Sequence, residues 1–212
     1  MLTAGAVASA GIWVAPTIVS LDPASAAIGS CPAPPRRVDF SRFAGANLPS
    51  TFLSDDGTVT INFSQLNPDG VQDPNWDGVV FNGTLNGLDN PVINGMENAV
   101  FGDYVEFRFD FSIPVCPSFF LVDVDRGGWE DTVRVTGRDS GGNRIDPANM
   151  ILGGTQVQVD SRTVRGTTST TSPNGNVEVQ FGDYITRLEV RHSDVTNLSN
   201  FQWIGVHDFH WC

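Results

Sequence analysis

Residues 104–111 alternate strictly between apolar and polar: Val105, Phe107, Phe109 and Phe111 fall on one side, and Tyr104, Glu106, Arg108 and Asp110 on the other. A period of two belongs to a β-strand with one face in a core and the other in water. Shorter runs of the same kind recur at 38–40, 58–63, 78–81, 119–123, 132–136, 155–160, 176–181, 185–192 and 203–211, separated by Gly, Asn, Asp and Pro. No amphipathic helical stretch stands between them to act as a parallel crossover, so about ten short strands predict an all-β, two-sheet antiparallel β-sandwich of jelly-roll-like form. The tetrapeptide Phe-Gly-Asp-Tyr occurs at 101–104 and again at 181–184; its flanks diverge at once, so it reads as a turn used twice and not as a duplication. Segment 161–176, rich in Ser, Thr and Gly, reads as a long exposed hairpin or connecting loop.

The first residues break this pattern. Residues 4–21 carry no charge, and Ala24, Ala26 and Ala27 then supply the small residues of an export cleavage site. The expected organisation is a signal peptide over 1–27, a Pro-rich lead-in over 28–37, and a single β-sandwich domain over 38–212. Gly5, Gly11 and Pro16 interrupt the apolar stretch, which disfavours a retained membrane anchor, so the mature chain is expected not to insert in a membrane and to be secreted or held at the cell surface. Residues 1–3 carry no Lys or Arg, which leaves the export route open.

Charge then narrows the partners. The chain of 212 residues has 12 basic side chains, all Arg, against 24 acidic ones, a formal net charge of −12. With no basic stripe along the sequence, nucleic acid and anionic membrane surfaces are excluded as expected partners, whereas carboxylates are in surplus for a hard cation such as calcium. Cys31, Cys116 and Cys212 are an odd set for an oxidising compartment. If the first strand runs antiparallel beside the last, Cys31 meets Cys212; Cys116 with Cys212 is the alternative pairing.

Two acidic segments carry candidate cation chemistry. In the first, Asp73, Asn75 and Asp77 precede Gly78 on alternate positions, matching the start of a calcium loop, although the position where an EF-hand needs Glu is Thr84. A polar loop whose Asp and Asn cap turns is the rival reading. In the second, Asp123, Asp125, Glu130 and Asp131 crowd a Gly-bearing loop, where like charges repel unless a cation or Arg126 offsets them. Trp76 and Trp129 lie in these two segments and are the aromatic faces best placed for a sugar ring. Trp203 and Trp211 share strand parity with Phe209, which predicts burial, and His207 and His210, three apart on one strand, are expected on opposite faces.

Segments 109–114, 120–125, 129–137 and 202–209 together resemble the jelly-roll or galactose-binding-like β-sandwich domains of bacterial secreted and cell-surface proteins. The resemblance implies surface adhesion, glycan binding or structural support, often with a calcium ion near the acidic residue of the last strand, here Asp208. Catalytic templates are missing: there is no G-x-S-x-G, no H-E-x-x-H and no Lys for a phosphate loop. Glu106 and Asp110 share a strand face but stand about 13 Å apart by strand rise, and Glu178 with Glu189 would be neighbours if their strands were consecutive in one sheet. The expected function is therefore a non-catalytic, calcium-stabilised domain that binds glycan or a cell-surface partner. The alternatives are a secreted carbohydrate-active enzyme on the same fold and a structural envelope or matrix protein.

Overall fold

The computed structural model describes residues 36–68, 77–96, 101–127, 129–195 and 202–211. Its strands are β1 (Arg36–Val38), β2 (Thr51–Leu53), β3 (Thr60–Leu66), β4 (Thr84–Leu85), β5 (Leu88–Asp89), β6 (Val92–Met96), β7 (Tyr104–Val115) and β8 (Ser118–Val122). They continue with β9 (Asp131–Arg138), β10 (Arg144–Ile145), β11 (Asn149–Leu152), β12 (Gln156–Asp160), β13 (Thr163–Gly166), β14 (Val177–Gln180), β15 (Ile185–Asp194) and β16 (Gln202–Trp211).

Among the described residues every pairing is antiparallel, and two sheets face each other as the alternation predicts, with β4 and β5 forming a separate two-stranded ribbon. The smaller has the order β1-β16-β8-β14-β11, with β6 on the other half of β16; the larger runs β12-β13-β9-β15-β7-β3-β2, with β10 on β9. The apolar side of β7 packs into the gap between them. Phe109 meets Phe209 of β16 edge-on, centroids 4.9 Å apart at 86°, and Phe209 meets Phe119 of β8 at 5.5 Å and 89°. Such T-shaped contacts align ring edges with ring faces and add to the burial of each ring. Phe107, Phe109, Phe119 and Phe209 are all essentially inaccessible.

The two Phe-Gly-Asp-Tyr turns lead into β7 and β15, which are neighbours in the larger sheet. Segment 161–176 is not all loop. Residues 163–166 form β13, paired to both β12 and β9, because the single buried apolar position Val164 sits opposite Val133 and continues the core row. Segment 78–81 forms only isolated bridges, Asn47 with Val79 and Val80 with Val92.

β16 is interrupted by a register shift between His207 and His210. Before it, Ile204 and Val206 point inward; after it, Phe209 and Trp211 do. A bulge inserts one residue and exchanges the faces. Trp203 therefore does not join Trp211 in the core; it lies half-buried against Phe81, centroids 6.1 Å apart. For the same reason His207 and His210 share the outer face, opposite Phe120 and Ser118, contrary to strict alternation.

The first described strand does lie antiparallel beside the last: β1 pairs with β16, Arg36 opposite Trp211. Cys31 and Cys212 lie outside the described residues. Cys116 is a free, half-buried thiol whose Sγ donates to the Phe181 carbonyl at 2.9 Å, and burial raises its pKa. Among the described residues no helix is long and apolar enough to cross a membrane.

Candidate functional site

The loop from β8 to β9 gathers Asp123, Asp125 and Asp131 at one end of the sandwich. Asp131 is the first residue of β9 and shares the inward parity of Val133, so its carboxylate enters the core; it is fully buried, as is His192 on the adjacent strand β15. Asp131 Oδ1 lies 2.9 Å from His192 Nε2, and His192 Nδ1 lies 3.2 Å from the Asn94 carbonyl oxygen. Both neighbours of the ring are oxygen acceptors. The ring must therefore donate to Asn94 from Nδ1, and a second proton lies between Nε2 and Asp131. The other carboxylate oxygen of Asp131 accepts the Asp125 N–H at 3.1 Å.

Asp125 accepts the Thr170 N–H at 2.8 Å, and burial with the nearby Asp131 charge raises its pKa against that bond. Gly166 of β13 passes directly behind: a Cβ there would collide with the Asp125 carbonyl, so only glycine lets the strand approach this closely. Asp123 has a φ of 65°, in the left-handed region that non-glycine residues seldom adopt. Its Oδ1 accepts Asn86 Nδ2 at 2.8 Å, and Asn86 is itself left-handed at 46°. Burial, then the Asp125 charge, push Asp123 up to about 7, against the lowering effect of the Asn86 amide. Two strained residues thus hold each other across the turn between β4 and β5.

That turn walls a groove on the outer side of the smaller sheet. Asn176 Nδ2 donates to the Asn86 carbonyl at 3.0 Å, which ties the turn to the start of β14. The groove has a volume of about 280 Å³ and is lined by Asn86, Leu88, Phe120, Ile151, Asn176 and Glu178 among others. It opens onto the outer face of the sheet, where the ladders align Ile151, Glu178, Phe120 and His207 in one row across β11, β14, β8 and β16. A second row places Asn149, Gln180, Ser118, His210 and Arg37 side by side. Four strands span about 14 Å at about 4.8 Å per step. Ile151 is half exposed, and Phe120 contacts the His207 ring at 6.5 Å. Burial pushes the His207 pKa down, with Asp208 opposing, and burial raises Asp208, opposed by its bond from the Phe40 N–H at 2.9 Å.

The candidates named from sequence are thus divided. Asp123, Asp125 and Asp131 come together. Asp208 lies about four residues away along the β8 and β16 ladder, about 13 Å, and anchors the turn at Phe40. Asp77, buried, lies elsewhere again, beside a groove of about 370 Å³ lined with Asn47, Ser50, Phe63 and Gln65. Asp73, Asn75 and Trp76 are outside the described residues. Trp129 is half-buried with its ring over Gly127. Among the described residues no three Asp, Glu, His or Cys side chains converge as a metal cage. In the loop formed by residues 123–131 Asp123, Asp125 and Asp131 accept from amide N–H groups and, at Asp131, meet the His192 ring, while Glu130 is offset by Arg126 at 3.3 Å and Arg165 at 3.5 Å.

The carboxylate pairs considered for hydrolysis are separated by the fold. Glu178 is on the outer face of the smaller sheet and Glu189 on the outer face of the larger one, because the chain changes sheets between β14 and β15. Glu106 and Asp110 are both engaged by arginine, Glu106 with Arg191 at 3.0 Å and Asp110 with Arg187 at 2.6 Å. The row through Phe120 was not visible from sequence as a site; the polar-apolar alternation of 118–122 marked the strand, but its neighbours come from segments far along the chain. No family model matches this chain, and no match to a curated protein was found.

Proposed function

We propose that this chain is an exported, non-catalytic β-sandwich domain that binds glycan or another cell-surface partner through the outer face of its smaller sheet. The observation that carries the reading is the row Ile151, Glu178, Phe120 and His207, which runs into the groove beside Asn86 and Asn176. A sugar ring presents a C–H face and a rim of hydroxyls, and an apolar and aromatic strip flanked by amides and a carboxylate meets both. The surface is shallow and spread over several strands, which suits contact with a chain and not the enclosure of a reacting bond. Export rests on the uncharged run 4–21 and the small residues after it. The jelly-roll, galactose-binding-like resemblance belongs to the same reading.

Calcium enters at the loop formed by residues 123–131. Asp123, Asp125 and Asp131 supply hard oxygen donors, and binding requires them to turn from their present N–H partners towards one point. The ion would add stability and hold Asp123 ionised. Its test is the thermal midpoint with calcium or with chelator: a native-state ligand at a hundred times its dissociation constant adds about 2.7 kcal/mol, and an unchanged midpoint rejects the calcium part alone.

A glycan array probed with the protein and with Phe120→Ala tests the binding face. Retained glycans that Phe120→Ala no longer holds support it. Incubation with a retained glycan, followed by product analysis, separates the module from a carbohydrate-active enzyme, and cleavage would overturn the non-catalytic reading.

A further inference from the structure

The outer face of the larger sheet carries a different chemistry, unused by the reading above. Arg108 of β7, Arg134 and Arg138 of β9, Arg144 of β10, and Arg187 and Arg191 of β15 all project from it, and Arg162 joins them from the turn before β13. These are seven of the 12 arginines in an acidic chain. The carboxylates that meet them are Glu106, Asp110, Asp146 and Glu189, with Asp160 at the rim, so guanidinium groups are in surplus. No basic stripe marks this in the sequence, because the arginines come from separate strands and only the register assembles them.

The register also sets like charges opposite each other: Arg187 faces Arg138, and Arg191 faces Arg134. Directly opposed like charges destabilise a sheet unless something neutralises them. Three of these four are neutralised internally. Arg138 forms a fork with Glu189 at 2.8 and 3.1 Å, Arg191 forms one with Glu106 at 3.1 and 3.0 Å, and Arg187 meets Asp110. Arg134 is exposed, and among the described residues its side chain has no hydrogen bond and no ion pair within 4.0 Å, the Asp160 carboxylate acting on it only from a distance. Arg144 and Arg162 share the single carboxylate of Asp146 at 3.1 and 3.7 Å.

Arg134, Arg138, Arg144, Arg162 and Arg191 line one groove of about 130 Å³, with Thr136 and the arginine-paired carboxylates Glu106 and Glu189 also in its wall. That volume admits a small anion. We infer that this groove binds a tetrahedral oxyanion, a sulfate or phosphate group carried on a larger ligand, with Arg134 as the unsatisfied guanidinium that recruits it. Converging guanidinium forks match oxyanion geometry, and the fixed neighbours Glu106 and Glu189 hold Arg191 and Arg138 in place before the ligand arrives.

Isothermal titration of the protein with sodium sulfate and with sodium phosphate, at ionic strength held constant with chloride, tests the inference. Saturable binding is expected, about tenfold weaker in Arg134→Gln and unchanged in Arg36→Gln, whose side chain is exposed on β1. The Arg134 side chain makes no hydrogen bond or close ion pair among the described residues, so its replacement should leave the fold intact, which circular dichroism checks. Galactose 6-sulfate and glucose 6-phosphate then distinguish a sulfate ester from a phosphate ester, and either one binding above unsubstituted galactose supports the site. Heat that does not saturate, or equal affinity in Arg134→Gln, or equal heat from unsubstituted galactose, overturns it.

Discussion

Glu178 and Glu189 occupy equivalent places, each mid-strand on the outer face of its own sheet, yet their surroundings are opposite. Glu189 is 8% exposed and gripped by the Arg138 fork, with Arg108 at 3.9 Å. Among the described residues Glu178 has one hydrogen-bond partner, the Gln180 amide at 2.7 Å, and it borders an open groove between Phe120 and Ile151. The larger sheet covers its outer face with its own ion pairs, and long arginine stems shield what lies beneath, including Thr136. The smaller sheet leaves apolar, aromatic and hydrogen-bonding groups turned to solvent. The larger sheet holds its outer carboxylates in ion pairs, whereas the smaller one sets a partly exposed aromatic and apolar row beside neutral amides, and that contrast separates the two proposed ligand faces.

The largest effect that bears on this contrast lies beneath the larger sheet. Asp131→Ala removes the partner of the fully buried His192 and leaves that ring without an acceptor on one side, so chemical denaturation should show a loss of about 3–5 kcal/mol. A loss under about 1 kcal/mol would mean the pair does not fasten β9 to β15. Next comes the direct comparison of faces. Glu189→Ala should cost about 1.5–3 kcal/mol, since it strands a bidentate guanidinium, whereas Glu178→Ala should stay within about 0.5 kcal/mol. Equal effects at the two positions would erase the distinction between a covered and an open face.

Phe120→Ala should shift the thermal midpoint little, because the ring is only half-buried, while glycan retention on an array is lost; the reverse outcome would make Phe120 a packing residue. The smallest effect is a pH slope. Asp123 stands at about 7 in the folded chain against 3.8 as its ordinary value, so the folded state holds a proton that the unfolded state has released between those limits. The stability this provides is complete below 3.8 and is lost as pH rises through about 7. Denaturation midpoints between pH 5 and about 8 should therefore fall in the native chain and flatten in Asp123→Asn, and calcium, if bound, should flatten them too.

Alternation over 104–111 was enough to place β7 with its phenylalanines inward, because a strand with one wet face writes its own period into the sequence. The same signal identified most of the other strands and the sandwich they form. It missed β2, β4, β5, β6, β10, β11 and β13, the last with Val164 as its only apolar side chain, and placed a strand over 78–81 where only bridges form; it also misassigned Trp203, His207 and His210, because a bulge exchanges faces without leaving a mark in composition. The cluster at 123–131 was legible as crowded charge, since its members are close in the chain. His192, which shares a proton with Asp131, was not, because it comes from β15.

The sequence by itself determined the class of fold, the inward residues of β7, and the acidic loop that follows β8. Local alternation and local charge are properties of adjacent residues, and they survive without a partner. Only the tertiary structure decided that Glu178 and Glu189 belong to opposite faces, that Ile151, Glu178, Phe120 and His207 stand in one row, and that scattered arginines converge around Arg134. Those facts depend on which strands pair and in what register, and register is fixed by the burial of whole sheets against each other.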